Sequence, residues 1–135
     1  MDECSHGLHT GAGSSFGAVL AAWVAGTPGA RGAVLCDDAG DAVDYAHDPT
    51  AVSALDIQLV GAQLSFATTV VTRWARRAGL GRDPVTLLEC RAAIVVTSAP
   101  ATGFFAAGLL GRPANLGRCL RNWDGAMAKV RALLA

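Results

Sequence analysis

From Asp48 to Ala78 the apolar residues Val52, Leu55, Leu59, Val60, Leu64, Phe66, Ala67, Val70, Val71 and Trp74 recur at three- and four-residue steps. That period predicts one long helix. Asp48-Pro49 reads as its start, an acceptor side chain followed by a ring whose missing N–H is no loss in a first turn. Gly79-Leu80-Gly81 reads as its stop, with Arg73, Arg76 and Arg77 where the helix dipole favours cations. On a wheel at about 100° per residue the apolar positions fill an arc of roughly 200°, wider than one core-facing stripe needs. The arc is divided. Leu55, Leu59 and Phe66 lie on one side and Ile57, Val60, Leu64, Val71 and Ala78 on the other, with Asp56 and Gln63 near the centre beside Val52, Val70 and Trp74. A broad core stripe with stray polar residues is one reading. The other is two contacts, one to the domain's own sheet and one to a second chain.

The remaining pattern places shorter elements around this helix. Residues 1–13 are polar and glycine-rich and read as a loose tail before a single domain over residues 14–135. Ser14 or Ser15 caps a short helix with Phe16, Val19, Leu20, Trp23 and Val24 on one face, ended by Gly26-Thr27-Pro28-Gly29. Ala33–Cys36, the turn Asp37–Gly40 and the run Asp41–Ala46 read as a β-hairpin. After Asp83-Pro84 come three strand-like runs, Val85–Cys90, Ala93–Thr97 and Phe104–Leu110, with Ala99–Gly103 as a turn between the last two. Asn115 caps a final helix carrying Leu116, Cys119, Leu120, Trp123, Met127, Val130 and Leu134 on one face. Strands joined mainly by hairpins, with helices before, between and after, predict an antiparallel sheet covered on both faces, an α/β/α sandwich.

Composition narrows the picture. A chain of 135 residues, 52% of them apolar, forms one domain without disulfide or metal staples. Net charge is zero, which removes the electrostatic case for nucleic acid or an anionic membrane. The charges are unevenly placed: up to Asp56 there are eight acids and one base (Arg31), and from Ile57 onward three acids and ten bases. Either the halves interleave in the fold and the asymmetry averages out, or it serves self-association or an ionic partner. Cys4, Cys36, Cys90 and Cys119 lie far apart, and the start Met-Asp-Glu lacks the basic and apolar regions of a signal peptide. No unbroken apolar run approaches membrane-spanning length. Free thiols in a cytoplasmic, non-inserted protein are the expectation.

Chemistry is not visible in the sequence. Gly13-Ser14-Ser15-Phe16-Gly17 matches G-x-S-x-G, but a nucleophile elbow needs a buried strand before the serine, and here only the polar tail precedes it. Phe16 stands where a dinucleotide-binding glycine loop would carry its third glycine. Cys4, His6 and His9 are soft ligand types, yet no fourth partner stands at zinc spacing. The lone lysine, Lys129, has no glycine-rich loop before it, so the chain lacks the phosphate loop of a GTPase or ATPase. No catalytic residue, cofactor or metal is expected.

Two segments carry a resemblance. Thr27-Pro28-Gly29-Ala30-Arg31-Gly32-Ala33-Val34-Leu35-Cys36-Asp37-Asp38-Ala39-Gly40 resembles the helix-to-hairpin segment of Roadblock-domain proteins, and Ala114-Asn115-Leu116-Gly117 resembles the opening of their last helix. The likeness spans about residues 14–134 and is greatest to the bacterial, MglB-type members; the residues after Cys90 depart from the pattern, since a glycine often stands there. The resemblance implies a three-layer sandwich: a five-stranded antiparallel sheet in the order 2-1-5-4-3, with the first and last helices on one face and the long middle helix on the other. It also implies homodimers joined through the middle helix and third strand, by Leu55, Asp56, Leu59, Gln63, Phe66, Val70, Arg77, Val85, Leu87 and Glu89. Further, it implies a non-catalytic regulator or scaffold of a Ras-like small GTPase, with a GTPase-activating or co-regulator role among the possibilities. The GTPase would dock on the paired middle helices, where Gln58, Ser65, Thr69, Thr72 and Arg76 are expected on the side opposite the apolar arc. A structural adaptor that binds no GTPase, or a small-molecule sensor of related topology, stays open as the alternative.

Overall fold

The computed structural model describes residues 8–112 and 114–135. The elements are β1 (His9–Thr10), α1 (Ser15–Gly26), β2 (Ala30–Asp37), β3 (Ala42–His47), α2 (Ala54–Arg77), β4 (Thr86–Glu89), β5 (Ala93–Ala101), β6 (Phe104–Gly111) and α3 (Leu116–Leu134). The strands form one antiparallel sheet in the order β1-β3-β2-β6-β5-β4. The five expected strands are β2 to β6, and their order is 2-1-5-4-3 when counted among themselves. The sheet nevertheless has six strands, not five. His9 and Thr10, within the stretch read as a loose tail, pair with His47 and Ala46 on the edge of β3.

The long helix begins later than Asp48-Pro49 predicts. Asp48 closes a turn instead: its carboxylate accepts from the amide and hydroxyl of Thr50, and its carbonyl from the amides of Ala51 and Val52. Buried His47 presents Nδ1 2.7 Å from the Val52 carbonyl, which can only accept, so that nitrogen carries the proton. Ser53 is the actual cap, its hydroxyl accepting from the amide of Asp56. Strand ends shift for similar local reasons. β5 runs on through Pro100, where the register with β6 slips between Ser98 and Ala101, a place where a strand tolerates a missing N–H. The β5–β6 turn thus shrinks around Gly103, which takes a positive φ of 81°. The turn after Cys90 closes without glycine through a Cys90 amide to Ala93 carbonyl bond, and Arg112 holds it by pairing with Glu89 and donating to the Cys90 carbonyl.

Alternation along β2 divides the interior into two cores. Ala33 and Leu35 face α1 and α3, joining Leu20, Ile94, Val96, Met127 and Val130. Val34 and Cys36 face α2, joining Ile57 and Ala107. On the α1–α3 side Trp23 and Trp123 meet edge to face, with centroids 5.0 Å apart, over Gly108, where a Cβ would stand 2.6 Å from Trp23 Cη2. Trp123 Nε1 donates to Ser98 Oγ at 2.7 Å. Buried Asp44 on β3 accepts from the amides of Ala12, Ser14 and Tyr45 and from the Ser14 hydroxyl, tying the entry of α1 to the sheet.

Small residues set how closely α2 lies on the sheet. A Cβ at Gly61 would stand 2.5 Å from Cys36 Sγ and 2.7 Å from Val34 Cγ1. Gly61→Ala gains about 1 kcal/mol of helix propensity. Overpacking of about 1–3 kcal/mol opposes it. The melting temperature should fall; a rise would show that α2 can lift from β2 without loss.

Candidate functional site

α2 sits on its sheet with the opposite face from the one its large side chains suggest. The buried positions are Ile57, the one large side chain, and Gly61, Ser65, Thr68 and Ala75, a stripe of small or short residues over β2 and β6. The hydroxyls need no partner on the sheet, because Ser65 donates to the Ala62 carbonyl and Thr68 to that of Leu64. The seam they form with Phe105, Ala106 and Ala107 leaves no room for a water. Val60, Leu64 and Val71 flank the stripe half-buried.

The bulky residues are left outside. Phe66 is 77% exposed, Leu55 65% and Trp74 60%, and Leu59 and Val70 are exposed beside them. Asp56, Gln63 and Arg77 share this outward face. A helix long and apolar enough to cross a membrane, yet with most of its apolar side chains outside the core, is an unusual surface for a folded domain. Scattered exposed leucines are ordinary; a stripe of five large apolar side chains along one helix face is not.

The apolar surface continues onto the sheet. β4 is an edge strand with Val85, just before it, and Leu87 and Leu88 exposed, but Leu87, expected in the interface, lies opposite Val96 on the α1–α3 side of the sheet and not on the α2 side. By register Leu88 lies opposite Val95, and Val95 opposite Leu109, on the side of the sheet that α2 covers. The other edge is guarded by the two-residue β1, whereas β4 offers its outer row of backbone N–H and C=O groups to any added strand. Of the residues expected on this edge, Glu89 is already engaged by its own chain, 2.6 Å from Arg112.

The residues expected to dock a partner divide differently. Ser65 is buried against the sheet, and Gln58, Thr69 and Thr72 are half-buried, so the side opposite the apolar arc is not a free polar face. It is the sheet contact and its margin. Arg76 alone among them is exposed. Thr69, Thr72 and Arg76 do come together on one margin, in an open groove of about 560 Å³ between the end of α2 and the β5–β6 turn. Arg73, Arg77 and Arg82 also line it, against one acid, Asp83. Among the described residues the ion pair Arg112–Glu89 joins two groups of the basic half, so the arginines of this groove meet no acid of the first half in close pairing.

Other candidate chemistry disperses. Burial, then the charges of Asp37 and Asp41, push the Cys36 thiol up to about 11, and Cys119 is raised by burial, so both stay protonated. Cys90 is exposed and free. Of the Cys4, His6 and His9 trio, the first two lie outside the described residues, and His9 stands edge to face with His47. Ser15, the serine of the G-x-S-x-G match, is the exposed first residue of α1 rather than the tip of an elbow, and Ser14 before it caps the helix and donates to Asp44.

By sequence the chain matches no protein-family model and no curated protein. By structure it is similar to a Roadblock/LC7 domain from Streptomyces avermitilis, with a TM-score of 0.76 and 20% identity over 90% of this chain and 98% of that one. It is similar to Myxococcus xanthus MglB, with a TM-score of 0.77 and 12% identity over 92% and 98% of the two chains. It is also similar to the gliding protein MglB from Thermus thermophilus, at 0.75 and 16% over 90% of each. The order of elements, the sheet and the placement of the three helices are those of a Roadblock/LC7 fold.

Proposed function

We propose that this chain is a non-catalytic regulator or scaffold that forms a homodimer and binds a Ras-like small GTPase in the cytoplasm. The observation that carries the dimer is the outward face of α2, with Leu55, Leu59, Phe66, Val70 and Trp74 exposed beside the open edge of β4. A second copy matches it in chemistry, because a two-fold axis brings one apolar face onto itself. The GTPase reading rests on the resemblance of the Thr27–Gly40 and Ala114–Gly117 segments to Roadblock proteins and on the shared fold. The arginine groove beside Thr69 and Thr72 supports it as a docking margin, since its exposed cations suit an acidic surface. Any effect on GTP hydrolysis would come from repositioning the partner's own groups. The closed seam between α2 and β6 weighs against a small-molecule sensor.

The purified protein should show no GTP binding in a calorimeter, and should retain a small GTPase from its native cell extract more strongly in one nucleotide state. Arg76→Glu should weaken that retention about tenfold without changing the melting temperature. Tight stoichiometric GTP binding by the chain itself would sink the reading. Retention of other proteins but no GTPase would replace it with an adaptor.

A further inference from the structure

On the sheet face away from α2, α1 and α3 lie side by side with an open groove of about 360 Å³ between them. Its two walls differ in kind. α1 lends Val19, Ala22, Trp23 and Gly26 and has no charged residue anywhere along its length. α3 lends Arg118, Arg121 and Lys129, all exposed and, among the described residues, in no ion pair. Asp124, the one acid of α3, is absent from the lining.

The lining also holds a donor without an acceptor. Trp23 is 3% exposed, and its indole N–H is shut from water with no hydrogen-bond partner. An indole nitrogen can only donate, and buried ones normally find an acceptor, as Trp123 does with Ser98. Asn122, beside it in the lining, spends its amide N–H₂ on the Gly26 carbonyl and the Thr27 hydroxyl. An apolar wall, a cationic wall and an unmet donor together describe the complement of an acidic, partly apolar chain.

We propose that the α1–α3 groove docks an acidic peptide segment of a partner protein, with carboxylates on Arg118, Arg121 and Lys129 and apolar side chains against α1. Parting the lining side chains lets such a segment bring an acceptor oxygen to the Trp23 indole. Single-stranded nucleic acid fits less well, because Trp23 offers no exposed ring face for a base to stack on. A membrane surface fits less well, because the site is a groove recessed between two helices rather than a protruding apolar face. The groove and the α2 face lie on opposite sides of the sheet, so this site stands whether or not α2 pairs or a GTPase binds.

The test is fluorescence anisotropy with a labelled peptide of alternating glutamate and leucine pairs, against its glutamine and lysine counterparts. The glutamate peptide should bind in a salt-sensitive way and the other two should not. Arg118→Glu with Arg121→Glu, both at exposed positions, should weaken binding roughly tenfold or more while leaving the melting temperature unchanged. In an amide proton–nitrogen spectrum the Trp23 indole cross-peak, identified by its loss in Trp23→Phe, should move downfield on saturation while those of Trp74 and Trp123 stay. No binding of the glutamate peptide overturns the proposal, as does binding that the charge reversals leave intact or a still indole peak. Tighter binding of an oligothymidine or of phosphatidylserine vesicles through Arg118 and Arg121 overturns it in favour of those ligands.

Discussion

Phe66→Asp should turn the protein from a dimer into a soluble monomer in sedimentation at tens of micromolar, with its melting temperature little changed. The side chain is 77% exposed in the single chain, so the fold does not depend on it, and an aspartate there meets water rather than a core. The proposed dimer does depend on it. Phe66 lies near the middle of α2, so a two-fold axis across the helix passes close to it and buries both copies together. Each buried phenylalanine contributes about 1.5–3 kcal/mol, so the pair is worth about 3–6 kcal/mol in the interface. That raises the dissociation constant by roughly two to four powers of ten, enough to empty a micromolar dimer. Asp56→Asn is the contrasting case. If the helices run antiparallel, Asp56 near one end faces Arg77 near the other, and such an exposed pair adds only about 0–1 kcal/mol while favouring that orientation. This variant should remain dimeric. A wild-type chain that sediments as a monomer would remove the dimer and leave the α2 face to another partner.

The two faces of α2 show what the sequence does and does not make legible. Its C-terminal end, its apolar arc and the division of that arc were readable from spacing, and the order of elements followed from hairpin signals and the Thr27–Gly40 segment. Which face met the sheet was not readable from hydrophobicity. Gly61, Ser65, Thr68 and Ala75 do the packing because short side chains allow close approach, and the serine and threonine hydroxyls are satisfied by the helix's own carbonyls. A hydrophobicity wheel scores such a stripe as polar, so Ser65 and Thr72 looked like surface. The start of α2 was misplaced for a related reason. Asp48-Pro49 is a sound cap signal, but Asp48 is taken up by a local turn with Thr50, Ala51 and Val52, and Ser53 caps the helix after it. β1 left no signal at all: two residues on a sheet edge have no period, and the groups that hold the segment beyond them to the sheet sit on β3.

That anchor is the site of the second large effect. Asp44→Ala should lower the melting temperature by about 10–20 °C, corresponding to about 3–5 kcal/mol in a domain of this size. The residue is 1% exposed and stands where α1 begins. No acid occupies the first turn of α1, so the carboxylate from β3 supplies the negative charge that its helix dipole favours. It accepts from Ala12 N at 2.7 Å, Ser14 N at 2.9 Å and Tyr45 N at 2.8 Å, and from Ser14 Oγ at 2.5 Å. Burial by itself would push its pKa up. The Ser14 hydroxyl and the amides of Ala12, Ser14 and Tyr45 outweigh that and hold it below the ordinary carboxylate value. A depressed folded pKa contributes stability that is present above the unfolded value and lost as pH falls through the folded one. Wild-type stability should therefore decline at acid pH below the ordinary aspartate range, and Asp44→Asn, lower at neutrality, should show a flatter acid limb. Gly17 completes the arrangement, since a Cβ there would run into the Asp44 carboxylate, and Gly17→Ala should reproduce part of the loss. Hydrogen exchange separates this local anchor from general weakening: in Asp44→Asn the amides of Ala12, Ser14 and Gly17 should lose protection well before those of β5 and β6. If Asp44→Asn keeps the wild-type melting temperature and those amides stay protected, the β1–α1 segment is held by something other than Asp44.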